Sequence, residues 1–473
     1  MKRIFLLSSL VLLFAITSCY QQQSKQTGAS PEAMSNMHPY LTTGYHDIDK
    51  ALRNASGDIV SNILPLSYGY MLPDPFTINS EKHELHTRVE SSIMFASEAY
   101  PLINNKIPEG VRANLSGQEP VKLPAWLSDH MLLPIGIPFI MSGMSEPGKV
   151  ASIRFDNITA SALSDENGAW EIEFPYLKPG MNGDLIFTCG GQVKVIKSVA
   201  TGDTWLCSGQ SNMQFNVAKS AESMEATEAV STLDIRYFDG IGWKLVTGEN
   251  VKNLSAVAIF FAIEIARRQQ GPVGIFVAAR GGTSIDAWLP GKAFPDNESG
   301  RVKRPLINNP EVLKAAEEDK KDFRPWGQHR LAQWGLSRAV PSSLYEELIK
   351  PFGDLPIRGA VWYQGESNAG SVKQAKEYRL WLGNLISEYR RLWGSPALPF
   401  VIIQLPVYDP GTPETRKAWA ELQNTQASVV RRTKNTELVD IKDLGDLNDI
   451  HPARKKEVGE RTADKAFKLI DAK

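Results

Sequence analysis

Apolar and polar residues alternate with a period of two in much of the stretch from residue 121 to residue 200. In one run, Trp170, Ile172 and Phe174 are separated by single polar residues, and Asn167-Gly168 comes just before it. Alternation of this kind is typical of a half-buried strand, and Asn-Gly between such runs favours a tight hairpin. The pattern predicts a small antiparallel β-sandwich domain over residues 121–200.

From residue 201 onward, short apolar runs alternate with longer segments in which apolar residues recur every three or four positions. The strand-like runs lie at residues 204–207, 273–279, 359–363 and 399–403. The helix-like segments include residues 254–268, 378–392 and 419–429. Strands that alternate with helices of this length indicate a mainly parallel sheet covered on both faces. We therefore predict one α/β domain over residues 201–473.

The composition is that of an ordinary globular protein. The 473 residues are 42% hydrophobic and 22% charged, which provides enough apolar material for a sizeable core. The 52 basic and 53 acidic residues nearly cancel, so the formal net charge is −1. Nothing in this balance argues for a nucleic-acid partner or for adsorption to an anionic membrane surface.

The first residues have the pattern of a secretory signal. Lys2 and Arg3 precede an apolar run that ends at Ile16, and Cys19 follows two small polar residues. The run is too short to span a bilayer, and its ending resembles the lipobox of bacterial lipoproteins, in which the cysteine is acylated. We expect residues 1–19 to be a lipoprotein signal peptide, with the protein held at the bacterial cell envelope, periplasmic or surface-facing, only through Cys19. An ordinary cleaved signal peptide is the alternative.

The next two segments predict little. The polar residues 20–37 are expected to form a flexible tether, whereas residues 38–120 indicate no particular fold. The two remaining thiols are Cys189 and Cys207, and the sequence leaves open whether they form a disulfide. It leaves the oligomeric state open as well.

Small polar residues follow three strands of the predicted parallel sheet. The clusters are Ser-Gly-Gln-Ser-Asn at 208–212, Arg-Gly-Gly-Thr-Ser at 280–284 and Gln-Gly-Glu-Ser-Asn at 364–368. The carboxyl ends of parallel strands meet at one edge of the sheet, which is where open α/β folds bind ligands. Glycines there let the backbone approach a substrate closely. The clusters therefore predict an active site at this edge.

Two interpretations of Ser211 are open. Ser211 and Gln214 match the S-x-x-Q capping box, in which the serine hydroxyl only caps a helix. Alternatively, Ser211 is a nucleophile on a strand-to-helix turn, and its own amide points into an oxyanion site. A general base within reach would favour the second interpretation.

His451 is the histidine whose sequence setting suits a general base. Asp449 lies two residues before it, so in an extended segment both side chains project to the same face. Pro452 favours an extended conformation at His451 and suits the start of a helix. The positive end of that helix disfavours a protonated imidazole, whereas Asp449 favours it. These opposing effects are compatible with a His451 imidazole that is neutral near pH 7 and can act as a base.

Five sequence blocks occur along the chain in the order GDTWLCSGQSNM, GIFVAARGGTSIDAW, VWYQGESNAG, KAWAELQNTQ and DLGDLNDIHP. Together they resemble the sialate O-acetylesterase family, a branch of the SGNH-type hydrolases, and the likeness runs from about residue 121 to residue 471. It implies a flavodoxin-like three-layer α/β/α catalytic domain preceded by a small antiparallel β-sandwich. It also implies removal of acetyl groups from an O-acetylated saccharide substrate, without a metal or an organic cofactor.

The resemblance assigns roles to the matching residues. Ser211 is the nucleophile and His451 is the general base and acid. The wider SGNH pattern has an acid three residues before the histidine, but Asn448 stands there. Asp449, Glu366 or a main-chain carbonyl must then orient the imidazole.

The family's oxyanion site and its surroundings also match residues of this chain. The oxyanion donors implied are Ser211, Gly281 or Gly282, and Gln364. The residues expected to support the site or to contact substrate are Gln210, Asn212, Arg280, Glu366 and Asn368.

The sugar is less clearly indicated than the reaction. Arg280 stands where many sialate-type relatives carry Trp, and a cation there suits a sialic or uronic carboxylate. The same Arg-Gly-Gly-Thr pattern resembles acetylxylan-type relatives, whose substrate is neutral, and Arg280 could also brace a neighbouring loop. An acetylxylan or other plant-polysaccharide acetylesterase is therefore one alternative. A non-catalytic glycan-binding lipoprotein is an alternative of another class.

Overall fold

The computed structural model describes residues 123–471 apart from residues 125, 138, 323, 325 and 326. The predicted signal peptide with Cys19, the tether and the region up to residue 120 lie outside the described residues. All described residues belong to one compact unit. Among the helices described, none is both long and apolar enough to cross a membrane.

Seven strands form two small sheets in the first part of the described chain. Their bounds are β1 Leu132–Leu133, β2 Phe139–Met144, β3 Val150–Phe155, β4 Ile158–Leu163, β5 Ala169–Phe174, β6 Asn182–Cys189 and β7 Gln192–Thr201. One sheet has the order β1-β7-β6-β3-β4, and the other pairs β2 with β5. Apart from the parallel pair β1–β7, all these pairings are antiparallel.

The period of two seen in the sequence gives these sheets their buried face. Along β5, Trp170, Ile172 and Phe174 are buried and the glutamates between them are exposed. The Asn167-Gly168 turn differs from the hairpin that we expected, because it leads from β4 in one sheet to β5 in the other. The Asp165 carboxylate accepts hydrogen bonds from the N–H groups of Asn167 and Ala169, and these bonds hold the turn in a conformation that changes sheets.

The second part of the chain is built on a seven-stranded sheet. Its strands are β8 Asp203–Gly209, β9 Ile235–Phe238, β10 Trp243–Leu245, β11 Val273–Ala279, β12 Gly359–Tyr363, β13 Phe400–Ile403 and β14 Thr436–Val439. The order is β10-β9-β11-β8-β12-β13-β14, and every pair except β9–β10 is parallel. Every residue of β8 and β12 is buried, which requires cover on both faces of the sheet.

Nine α-helices are described. They are α1 Ser211–Gln214, α2 Ser223–Ala229, α3 Ala256–Gln269, α4 Glu298–Lys303, α5 Pro310–Lys321, α6 Ser343–Leu348, α7 Val372–Leu392, α8 Pro413–Arg432 and α9 Lys456–Asp471. Helix α3 packs with α9, and α7 packs with α8. Together with the sheet they form the three layers of the α/β/α fold predicted above.

Side-chain caps fix where the long helices begin. The Ser255 hydroxyl accepts a hydrogen bond from Ala258 N at the start of α3, and Ser371 accepts one from Gln374 N at the start of α7. Helix α8 begins with a capping box in which Thr412 and Thr415 satisfy each other's backbone N–H groups. Such caps satisfy N–H groups that have no acceptor within the helix.

The two thiols that the sequence left unassigned are both buried and free. Cys189 ends β6 and Cys207 lies in β8, and they do not form a disulfide. Burial raises the pKa of each thiol, so neither is a reactive thiolate near neutral pH.

Helix α9 approaches the backbone of α3 at a glycine. A Cβ at Gly459 would lie 2.5 Å from Phe260 Cβ and 2.6 Å from Phe261 N. We expect Gly459→Ala to lower the free energy of unfolding by about 1–3 kcal/mol, because the helices must move apart. Gly383→Ala in α7 is the matched control, since a Cβ there meets nothing within 4 Å. Urea unfolding of both variants checks this, and a Gly459→Ala protein as stable as the control contradicts the close packing.

Candidate active site

Ser211 and His451 meet at the edge of the sheet where the parallel strands end. Ser211 is the first residue of α1, directly after β8, and His451 lies between β14 and α9. The hydroxyl oxygen of Ser211 lies 2.8 Å from Nε2 of His451. Both residues are partly buried. The arrangement places a nucleophile and a base at hydrogen-bonding distance.

The Ser211 side chain does not cap α1. Gln210 occupies the N-cap position, and the helix has no side-chain cap. Gln214 does not reach back to the N-cap either, because its Oε1 accepts a hydrogen bond of 2.8 Å from Gly281 N. Of the two interpretations of Ser211, the capping box is therefore wrong.

Close backbone packing presents Ser211 at the surface of the site. Gly209 has φ +147°, and a Cβ there would overlap the carbonyl oxygen of Tyr363 on the neighbouring strand β12. Beside it, Gln210 N donates to that same carbonyl at 3.0 Å. Gly281 is less tightly packed, because a Cβ on it would lie 3.1 Å from Gln214 Oε1 and 3.4 Å from Ser211 Cβ. Glycines at both positions let three strand ends converge on Ser211.

Asp449 does not contact the imidazole as a triad acid would. Its Oδ1 accepts a hydrogen bond of 2.8 Å from the backbone N–H of His451, and its side chain is exposed. Within the described part of the chain, no carboxylate or carbonyl is hydrogen-bonded to Nδ1 of His451. Asp449 therefore shapes the loop around His451 and influences the ring only through its charge.

Glu366, the other carboxylate considered, faces a different residue. Its Oε1 accepts a hydrogen bond of 2.7 Å from Asn212 Nδ2. The same amide nitrogen donates to the carbonyl of Ile450 at 2.9 Å, and Lys455 Nζ donates to Asn212 Oδ1 at 2.6 Å. Burial raises the pKa of the Glu366 carboxyl. The carboxylate thus belongs to a buried network beneath the Ser–His pair.

The electrostatic surroundings favour a neutral His451. Burial lowers the pKa of the imidazole below its usual value of 6.5, and the positive charge of Lys455 lowers it further. Asp449 acts in the opposite direction and Lys219 adds a weaker lowering effect. A neutral imidazole can accept the proton of Ser211 at pH 7.

Gln364 does not serve as the oxyanion donor that we expected. It is fully buried, and its amide nitrogen donates to Gln210 Oε1 at 3.1 Å, to the Thr283 carbonyl at 3.1 Å and to Asn368 Oδ1 at 2.8 Å. An amide carries two N–H donors, so none remains for a substrate. Gln364 instead ties together the loops that follow β8, β11 and β12.

Other donors are available at this edge. Gly281 gives its N–H to Gln214, whereas the N–H groups of Ser211 and Gly282 have no acceptor among the described residues. Asn368 Oδ1 accepts hydrogen bonds from Gln364 Nε2 and from Ile285 N. The amide nitrogen of Asn368 therefore points away from these two donors. The backbone N–H groups of Ser211 and Gly282 and the Asn368 amide are therefore the free donors.

A polar cavity of about 140 Å³ adjoins Asn368. Its other lining residues include Ser284, Lys303, Ser337 and Trp381. Lys303 forms an ion pair with the buried Asp286 and lies 5.9 Å from the centre of the Trp381 ring. The cavity offers hydroxyl and amide groups of the kind that bind sugar hydroxyls.

Arg280 lies at the rim of the site. It forms an ion pair of 3.3 Å with Glu347 on α6, and both side chains are about half exposed. Exposed pairs of this kind contribute little stability, so Arg280 can still turn towards an anionic ligand. Gln210, by contrast, is buried, and its Oε1 accepts from Gln364 and from Ser367 N.

The sequence offered no signal for Lys455. Lys455 lies in the polar run Ala-Arg-Lys-Lys-Glu, which has the composition of an exposed helix start. Its burial depends on contacts with Asn212 and Phe215, more than two hundred residues earlier. As for metals, the described residues contain no group of three or more His, Cys, Asp or Glu placed to hold an ion.

Comparisons with known proteins match parts of this chain to carbohydrate esterases. Residues 326–468 match the family described as carbohydrate esterase, sialic acid-specific acetylesterase. A sialate O-acetylesterase of Mus musculus is 27% identical over 349 residues, which are 62% of this chain and 63% of that protein. One of Homo sapiens is 29% identical over 195 residues, which are 37% of this chain and 32% of that protein. The chain thus spans less than two thirds of the curated relatives it matches.

A solved structure extends the likeness to the fold. The crystal structure of a carbohydrate acetylesterase from Xanthomonas citri is 26% identical, with a TM-score of 0.62, and the match covers 75% of this chain and 76% of that one. The fold is that of the SGNH-type hydrolase class, which this chain shares with its carbohydrate-esterase neighbour. Within that class, the chain is similar to the sialate O-acetylesterase family.

Proposed function

We propose that this protein is a carbohydrate O-acetylesterase that hydrolyses acetyl esters on sugar hydroxyls through Ser211 and His451. The observation that carries the proposal is the distance of 2.8 Å between the Ser211 hydroxyl and Nε2 of His451. Similarity to the sialate O-acetylesterases supports the same reaction. A non-catalytic glycan-binding protein would have no need of this contact.

The proposed reaction has two halves. His451 Nε2 takes the Ser211 proton while the Ser211 oxygen attacks the acetyl carbonyl, and the free N–H groups stabilise the oxyanion. The carbon–oxygen bond to the sugar then breaks, and the sugar oxygen leaves with the proton from His451. A water molecule, deprotonated by His451, attacks the acetyl group on Ser211. Acetate leaves and Ser211 recovers its proton.

As substrate we propose an O-acetylated saccharide, with O-acetylated sialic acid first. The names of the matching family and of its curated relatives support sialic acid. Arg280 at the rim supports an acidic sugar, although Glu347 already accompanies it. The paired charges of Lys303 and Asp286 beside the cavity suit a neutral sugar, which keeps acetylxylan and other plant polysaccharides as the second candidate.

Acetate release from a substrate panel tests the proposal. The panel holds O-acetylated sialic acids, acetylxylan and acetylated pectin, and each is incubated with the wild type and with Ser211→Ala. We expect release by the wild type alone, fastest from the sialic acids. Release from xylan alone would replace the substrate but keep the reaction. Saccharide binding without any release would overturn the esterase.

For the location in the cell, we propose a lipoprotein of the bacterial envelope that is anchored at Cys19. The support is the sequence pattern of residues 1–19. Metabolic labelling with a radioactive fatty acid tests it: label is expected in the full chain and is expected to disappear in Cys19→Ala. An unlabelled full chain contradicts the anchor.

A further inference from the structure

Lys455 is a lysine whose side chain is wholly buried beneath the Ser–His pair. It lies four residues after His451 and directly before helix α9. Lysine is almost never fully buried unless it is paired, yet Lys455 forms no ion pair with any described residue. Burying an ammonium without an ion-pair partner costs free energy, so the other contacts of Lys455 must offset this cost.

Those contacts are one amide oxygen and two aromatic rings. Lys455 Nζ donates to Asn212 Oδ1 at 2.6 Å. It lies 5.0 Å from the centre of the Phe215 ring and 5.7 Å from that of Tyr363, within the range of cation–π attraction. The backbone N–H of Lys455 also donates to the Glu222 carboxylate at 3.3 Å. The ammonium is therefore held in one place.

The chemistry of the ammonium fixes the orientation of Asn212. An ammonium can only donate hydrogen bonds, so the amide must present its oxygen to Lys455 and its nitrogen to the opposite side. There the nitrogen donates to Glu366 Oε1 at 2.7 Å and to the Ile450 carbonyl at 2.9 Å. Asn212 directly follows Ser211, and Ile450 directly precedes His451. The amide thus bridges the two catalytic segments.

We propose that Lys455 is a positioning residue, which holds the His451 ring beside Ser211 by fixing the Asn212 amide against the Ile450 carbonyl. It orients the ring indirectly, because neither Asp449 nor Glu366 contacts the imidazole, and unlike a triad acid it does not stabilise the protonated form. The inference rests on the proposed function and assigns Lys455 no contact with substrate.

The charge of Lys455 has a second consequence for His451. Lys455 and Lys219 face the imidazole as cations and Asp449 faces it as an anion, with burial as the strongest influence on its pKa. Glu366, Asp449 and Glu222 act on Lys455 itself as anions. Burial lowers the pKa of Lys455 to about 8 although these carboxylates oppose the shift, so the ammonium is mostly charged at pH 7. Its charge then favours the neutral imidazole.

Lys455→Met tests the proposal, because it keeps the length of the side chain and removes the donor and the charge. We expect kcat on p-nitrophenyl acetate to fall about 10- to 100-fold with little change in KM, because the base is misplaced. The acidic limb of kcat/KM is expected to move to higher pH. Lys456→Met is the matched control, since Lys456 pairs with Glu225 at the surface. It should behave as the wild type does.

A second variant separates positioning from simple charge balance. Lys455→Met leaves Glu366 buried without a nearby cation, which would lower stability by itself. The double variant Lys455→Met/Glu366→Gln removes both charges. We expect it to regain thermal stability while kcat stays low and the acidic limb stays shifted. Recovery of wild-type kcat and pH dependence in the double variant would overturn the proposal.

One readout does not depend on the substrate. NMR of ¹³C-labelled histidine gives the pKa of His451, with His451→Gln used to assign the signal. We expect this pKa to rise in Lys455→Met and to stay unchanged in Lys456→Met. If the wild type hydrolyses no acetyl ester, the proposed function is wrong. If the pKa of His451 is the same in Lys455→Met as in the wild type, the proposed role of Lys455 is wrong.

Discussion

Replacing Ser211 with alanine is expected to lower kcat on acetyl esters by about 10⁴- to 10⁶-fold. The hydroxyl oxygen that lies 2.8 Å from His451 is the atom that would carry the acetyl group. Without it, no covalent intermediate forms, and only direct attack by water remains. Stability should change by only about 1 kcal/mol, the value of one hydrogen bond, because the hydroxyl caps no helix.

The measurement is steady-state release of p-nitrophenol together with mass spectrometry of the protein during turnover. The wild type should show an added acetyl group on the peptide that contains Ser211, and the variant should not. Ser387→Ala is a suitable control, since this exposed serine on α7 bonds only within its own helix. Turnover by Ser211→Ala at the wild-type rate would contradict the assignment of the nucleophile.

Replacing His451 with alanine is expected to have the second-largest effect, a loss of about 10³- to 10⁵-fold in kcat/KM. The loss should depend on pH in a defined direction. Only neutral imidazole accepts the Ser211 proton, so activity of the wild type rises as the pH passes upward through the His451 pKa. Burial places that pKa below 6.5, so the limb should lie on the acidic side of 6.5.

The pH profile of kcat/KM checks this prediction. The variant should lack the limb, and added imidazole should restore part of the rate by entering the space left by the ring. Identical acidic limbs in the wild type and in His451→Ala would assign the limb to another group. The base would then have to be sought elsewhere in the site.

The central strands were predictable because burial on both faces requires continuous apolar sequence. Strands β8, β11, β12 and β13 lie where the apolar runs placed them. The three strands that the pattern missed, β9, β10 and β14, have three or four residues each. Over so few positions, a single charged residue within each strand leaves no period to recognise.

The catalytic pair was predictable for a different reason. Ser211 closely follows a strand, and His451 lies two residues after an aspartate and directly before a proline, so both have informative neighbours in sequence. Gln364 has such neighbours as well, but which way a side-chain amide faces depends on partners from three separate loops. Lys455 shows the limit most clearly, since its neighbours in sequence predict exposure and its neighbours in space bury it.

The site is assembled from residues 240 positions apart. On the ribosome, Ser211 is therefore made long before His451, so the proposed nucleophile of a growing chain has no partner base until the end of the α/β domain has been made. In refolding experiments, hydrolysis would likewise return only when the loop that carries His451 lies against Ser211. Hydrolysis would thus report that the two distant parts of the chain have come together.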